Sequence, residues 1–82
     1  MSRTTYDHTG PGRPIRRADS VRHAAEIIAR REYGRRGMVG ALRHDAAGPG
    51  VSIFEAFVGR PARGDARTVT GRNIWIYARA AR

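Results

Sequence analysis

The sequence predicts an α+β domain in which one helix covers a three-stranded antiparallel meander. Three observations carry this expectation. Apolar residues recur at helical spacing between Val21 and Ile28: Val21, Ala24, Ala25 and Ile28 fall on one stripe, with Arg22, His23, Glu26 and Arg30 opposite. After Gly34 the period becomes two, and β-branched and aromatic residues take over. The connections between the later runs are short, so successive strands lie side by side and antiparallel.

The elements follow in order. Residues 1–17 contain Gly10-Pro11-Gly12-Arg13-Pro14 and almost no apolar side chains, and read as a flexible basic arm. Residues 18–82 then form the single αβββ domain. Asp19 or Ser20 caps the helix. Glu26 and Arg30 stand as an i,i+4 pair in the favourable order, and Gly34 is the natural stop. Glu32 lands on the apolar stripe in the last turn, which calls for an arginine such as Arg35 or Arg36, or another polar contact. The first strand is Met38–Asp45, closed by Ala46-Ala47-Gly48-Pro49-Gly50. Val51–Gly59 is the second, Pro61–Arg67 a polar loop, and Thr68–Arg79 the third strand, bulged at Gly71.

Strand alternation sorts side chains onto two faces. Met38, Leu42, Phe54, Ala56, Val58, Ile74, Ile76 and Ala78 form an apolar set suited to lie under the helix. Val39, Ala41, Arg43, Ile53, Glu55, Phe57, Asn73, Trp75, Tyr77 and Arg79 form the other, which mixes aromatics with charges. A slip of one residue exchanges the two sets within a strand. A lone helix leaves Phe57, Trp75 and Tyr77 on its uncovered side, and a contiguous exposed apolar patch marks an interaction surface. Three uses compete: the N-terminal arm folds over it, a second chain covers it as a symmetric dimer, or it is a platform for stacked bases flanked by Arg43 and Arg79.

Charge narrows the partner. All sixteen basic side chains are arginine, set against seven carboxylates, for a formal +9 on 82 residues. Thirteen alanines and ten glycines fit a GC-rich coding bias, which favours arginine over lysine but does not suppress Asp and Glu. A chain this basic is drawn to phosphate backbones or acidic protein surfaces, and the guanidinium fork matches both phosphate and carboxylate. There is no cysteine, hence no disulfide and no thiolate zinc site. No apolar run approaches the roughly 20 residues of a membrane span, and Met1–Arg17 has no apolar segment of the secretory kind. The expected compartment is a bacterial cytoplasm. A domain of this size buries only about 60% of its unfolded surface, so a partner chain would add stability.

Arg30, Arg31, Arg35 and Arg36 cluster at the helix C-terminus. One or two cations there complement the helix dipole, and four suit a phosphate or carboxylate clamp. Arg13, Arg16 and Arg17 give the arm generic affinity for nucleic acid. His8, His23 and His44 are scattered, and His44 and Asp45, adjacent on a strand, point to opposite faces. No phosphate loop, dinucleotide fingerprint or paired carboxylates appear. The expectation is a non-enzymatic protein without catalytic residues, cofactor or metal.

Several resemblances attach to these residues. Gly12-Arg13-Pro14, within Pro11–Arg17, resembles the AT-hook, which implies arginines laid in a narrow minor groove; Pro11 stands where that family has a basic residue. The helix and three strands over about residues 19–79 resemble in topology the start of the double-stranded-RNA-binding domain and of HicA-like RNase toxins. The basic dipeptide of the former and the glycine-hydroxyl-histidine segment of the latter are missing. The small basic domain as a whole resembles phage and mobile-element inhibitors of the anti-CRISPR type. That likeness rests on no shared motif and implies only occlusion of a nuclease or guide-RNA complex, a CRISPR effector among them; the partner-binding residues, Arg30, Arg31, Arg35, Arg36, Arg43, Phe57, Trp75, Tyr77 and Arg79, are those the chain's own pattern singles out. The alternatives are a direct DNA- or RNA-binding module and, third, the small RNase.

Overall fold

A computed structural model describes residues 4–10 and 12–80. Its elements are β1 (Thr4–His8), α1 (Val21–Tyr33), a 3-10 turn (Gly34–Arg36), β2 (Met38–Gly48), β3 (Val51–Ala62) and β4 (Asp65–Ala80). The strands form one antiparallel sheet in the order β1-β4-β3-β2, with α1 packed on one face. The α+β class and the helix-on-meander arrangement are as expected. The sheet has four strands rather than three.

The fourth strand comes from the segment expected to be a free arm. Thr4–His8 pairs along β4 from Ala80 to Ile76, and Thr9 continues the contact: its N–H donates to the Trp75 carbonyl and its hydroxyl Oγ1 accepts the Trp75 N–H, each at 3.0 Å. The chain then doubles back. The Tyr6 N–H donates to the Ile15 carbonyl at 2.8 Å, and the Ile15 N–H donates to the Tyr6 carbonyl at 2.9 Å. Tyr6 and Ile15 both enter the core, at 6% and 2% exposure. Two apolar side chains nine residues apart thus anchor a segment whose average composition reads as solvated. The Ile15 bridge also occupies part of the outer edge of β1, which would otherwise offer unpaired backbone groups.

Ser20 caps α1 by accepting the His23 N–H at 3.1 Å. Gly34 closes it at φ 74°, a left-handed conformation in which its N–H reaches the Arg30 carbonyl. Ala24, Ala25, Ile28 and Ala29 face the sheet. Three alanines there let the helix backbone approach closely. Beneath them lie Ala56, Val58, Ile74 and Ile76. Full burial of each larger aliphatic contributes about 1.5–3 kcal/mol. Glu26 and Arg30, spaced for an i,i+4 pair, form no ion pair.

The expected face assignment holds with one exchange. Val39 sits opposite Val58 and packs on the core, because the register shifts between Val39 and Ala41. Leu42 then returns to the core face opposite Ala56. A second shift falls between His44 and Ala46. In β4 the bulge expected at Gly71 is absent, and the irregularity lies at Pro61/Ala62. Gly71 instead stands opposite Gly59, where the backbones crowd. A Cβ on Gly71 would run into the Val58 carbonyl, and one on Gly59 into that of Thr70.

Gly71→Ala is therefore expected to destabilise the fold by more than about 2 kcal/mol, because rigid backbone must give way. Gly48→Ala, whose Cβ would meet only Val51 at ordinary contact distance, is expected to stay within about 0.5 kcal/mol. Urea unfolding of both variants checks the contrast.

Candidate functional surfaces

Two surfaces emerge, chemically unlike one another. The first is an arginine-rich end assembled from four parts of the chain. The last turn of α1 supplies Arg30 and Arg31, and the 3-10 turn supplies Arg35 and Arg36. Because Met38 pairs with Gly59, that turn lies beside the end of β3, where Arg60 begins the projecting β3–β4 hairpin that carries Arg63. The loop after β1 brings Arg13: the Arg31 Nη1 donates to the Arg13 carbonyl at 2.8 Å, and His8 Nε2 lies 3.0 Å from the same oxygen. Arg13 is thus attached to the helix end and is not on a free arm. The AT-hook geometry expected at Gly12-Arg13-Pro14 is replaced by this tether. Arg16 and Arg17 follow the Ile15 bridge toward the helix N-terminus and are exposed.

Glu32 finds its polar contact in neither Arg35 nor Arg36. It takes Arg72, forty positions along on β4, with Nη2 donating at 2.9 Å and Nε at 3.2 Å to both carboxylate oxygens. This hydrogen bond holds the Arg72 guanidinium above its ordinary pKa. The pair fastens the helix end to the sheet and borders a small cleft shared with Gly12, Ile28 and Arg31. Among the described residues, Arg13, Arg30, Arg35, Arg36, Arg60 and Arg63 make no ion pair with a carboxylate.

The second surface is the helix-free sheet face. Cross-strand neighbours run Tyr77–Ile53–Ala46, Trp75–Glu55–Arg43 and Asn73–Phe57–Ala41. Trp75 is exposed, and Ile53, Phe57 and Tyr77 are half-buried. Among the described residues the former arm joins the β4 edge and the core, and Trp75 stays exposed. Arg43 and Arg79 flank the rings as expected, but both are engaged. The Arg43 Nε donates to Glu55 at 2.6 Å, with Asp45 3.9 Å away, and the Arg79 Nε donates to Asp7 at 3.1 Å. The bond to Glu55, then the charge of Glu55, hold Arg43 above its usual pKa.

The histidines lie apart. The His23 Nδ1 accepts from the Asp19 N–H, and His44 leans on Phe54 at 5.0 Å between ring centres. Asp45 turns to Arg43 rather than to His44. Among the described residues no group of three or more His, Asp or Glu gathers as a metal site, and no helix is long and apolar enough to cross a membrane.

Apart from Arg16 and Arg17, which lie toward the helix N-terminus, the residues singled out in the sequence divide between two places. Arg13, Arg30, Arg31, Arg35 and Arg36 gather at one end, and Arg43, Phe57, Trp75, Tyr77 and Arg79 share the open face. Sequence reasoning missed Arg60, Arg63 and Arg72. The signal for Arg60 was its position just after Gly59, opposite the start of β2, which becomes informative only once the register is known. No family matches the chain, and neither does any curated protein or solved structure.

Glu32→Gln is expected to cost about 0.5–1 kcal/mol, the range of a partly exposed pair. A double-mutant cycle with Arg72→Ala in urea should return a coupling of that size; zero coupling would remove the fastening role.

Proposed function

We propose that this chain is a non-enzymatic binding protein that attaches through its arginine end to the phosphates of a nuclease or guide-RNA complex and masks that surface. This is the mode of action implied by its likeness to small phage-borne inhibitors of the anti-CRISPR type. One observation carries the reading: six arginines from α1, the 3-10 turn, the post-β1 loop and the β3–β4 hairpin lie toward the helix-end side of the sheet and, among the described residues, have no carboxylate partner. A helix dipole is satisfied by one or two cations, so the remainder are available for another purpose. Guanidinium groups bind phosphate oxygens through two parallel N–H bonds and displace condensed counterions on contact. A body 45 Å long and about 21 Å thick, lying along a nucleic acid, covers roughly a dozen steps of 3.4 Å rise, enough to deny a target strand its path. A bacterial cytoplasm is the compartment this reading implies.

A second reading, a direct DNA- or RNA-binding module, uses the same arginines on free nucleic acid. The unpaired state of those side chains favours it equally, and the two readings part on the substrate bound. The ribonuclease reading finds no support in the placement of His44 against Phe54, away from Asp45.

The test measures binding to free duplex DNA, free single-stranded RNA and a guide-loaded nuclease across a salt series. Masking predicts binding to the loaded nuclease and slower target cleavage, both weakened by Arg35→Ala and Arg36→Ala. Direct binding predicts affinity for free duplex DNA whose log–log salt slope falls by about 0.9 for each of these arginines removed. Retention on none of the three ligands would end both readings.

A further inference from the structure

We infer that the β3–β4 hairpin is a ribbon that enters the major groove of duplex DNA, with the arginines at its root set on the phosphates of the groove walls. The inference rests on the reading of the arginine end as a phosphate-binding surface, and it names the ligand.

The pairing pattern isolates the hairpin. β2 accompanies β3 only as far as the Met38–Gly59 pair, and β1 accompanies β4 only from Ala80 to Ile76. Beyond Gly59 and Gly71 the two strands pair with each other alone: Arg60 with Thr70, Pro61 with Val69 and Ala62 with Asp65. The turn falls at Arg63-Gly64, where Gly64 takes φ 83°. Four residues at about 3.3 Å each give Arg63 a reach of up to roughly 13 Å past the end of β2. The major groove of B-form DNA is about 8.5 Å deep, so the tip can touch base edges while the sheet stays outside the backbone. Two strands about 4.8 Å apart also suit its width of about 12 Å, and not the minor groove at about 6 Å.

The side chains fit the same ligand. Residues 59–71 hold three arginines against one carboxylate, Asp65, and no aromatic ring, leucine, isoleucine or methionine. Gly59, Ala62, Gly64 and Gly71 keep the ribbon thin. Arg60, Arg63 and Thr70 are exposed. Arg60 follows Ala56 and Val58 by the period of two, so it projects on the side of the sheet that carries α1 and the 3-10 turn. Arginine donates two parallel bonds to guanine O6 and N7, and a threonine hydroxyl bonds to several base edges.

The root of the ribbon stands between two shoulders. On the β2 side the 3-10 turn brings Arg35 and Arg36, immediately before the Met38–Gly59 pair. On the β1 side is the loop after β1, held by the bond from Arg31 to the Arg13 carbonyl and packed against Arg72 at Gly10. These strands are the two edges of the sheet, three spacings or about 14 Å apart. That separation is close to the distance between the walls of the major groove, so both shoulders meet phosphate when the ribbon is inside. α1 lies against the sheet with its end fastened to β4 through Glu32 and Arg72, which leaves the hairpin as the projecting element. A-form duplex RNA has a deep, narrow major groove that side chains do not read, so the ribbon selects DNA.

Fluorescence anisotropy of the full chain with a short duplex DNA, a duplex RNA of the same sequence and the single DNA strand tests the inference, together with dimethyl sulfate footprinting of the DNA duplex at saturating protein. The DNA duplex should bind at least about tenfold more tightly than the RNA duplex. Guanine N7, in the major groove, should be protected, and adenine N3, in the minor groove, should react as in free DNA. Arg63→Ala should lower affinity about tenfold and remove N7 protection, with an unchanged far-ultraviolet circular dichroism spectrum. Arg60→Ala should act in the same direction and serves if the turn variant disturbs the hairpin. Arg35→Ala with Arg36→Ala should weaken binding and flatten its salt dependence, yet keep N7 protection at low salt. Duplex DNA bound with N7 fully reactive, or with adenine N3 protected, would overturn the ribbon and leave the phosphate-binding reading in place. Equal affinity for the RNA duplex or the single strand would do the same. Binding to none of the three probes would remove free nucleic acid as a ligand and the ribbon with it, while retention on a guide-loaded nuclease would leave the masking reading standing.

Discussion

β4 is the constraint from which the architecture follows. It is sixteen residues long, lies between β1 and β3, and alternates two kinds of side chain along its second half. Ile74 and Ile76 point to α1 and are fully buried, while Trp75 and Tyr77 point away. Because successive side chains on a strand must diverge, the burial that makes the core also commits the rings to the opposite side. One helix can cover only one face of four strands. The open aromatic face is thus a geometric consequence of how the core is made, and no local adjustment of β4 can conceal both sets.

The helix, its stop at Gly34 and the alternation of β3 and β4 were legible because each depends on period and on local chemistry. What escaped depends on pairing. Thr4–His8 has only one core side chain, Tyr6, so it shows no periodic signal by itself. It is a strand because β4 extends far enough to give it a partner from Ala80 to Ile76. The exchange of Met38 and Val39 has the same origin. An extra residue at Gly40 is invisible in composition and reverses every side chain before it. Gly71 shows the converse: a glycine that suggests a bulge serves instead as half of a close backbone approach with Gly59.

The candidate sites divide along the same line. The cluster at the end of α1 could be read from Arg30 to Arg36 because those residues are close in sequence and follow a helix. Arg60, Arg63 and Arg13 join it only through the register of β2 on β3 and through the Ile15 bridge. The flanking arginines of the open face were placed correctly on that face but their state was not foreseeable. Whether Arg79 is available to a ligand depends on Asp7, which lies on a strand that the sequence does not advertise.

Where the carboxylates lie decides what each surface can bind. Glu32 is used to fasten α1 to β4 through Arg72, and Asp7, Asp45 and Glu55 are held on the sheet face. Few acids remain to compensate the arginines at the helix end, so the formal +9 of the chain is weighted toward that pole. The helix end thus carries arginines that pair with no carboxylate among the described residues, while the open face carries Asp7, Asp45 and Glu55 paired with Arg43 and Arg79. One small body therefore carries an arginine-rich pole and an aromatic sheet face that share no side chain, because the register of the sheet sends Asp7, Asp45 and Glu55 to one side and leaves the helix end with few carboxylates.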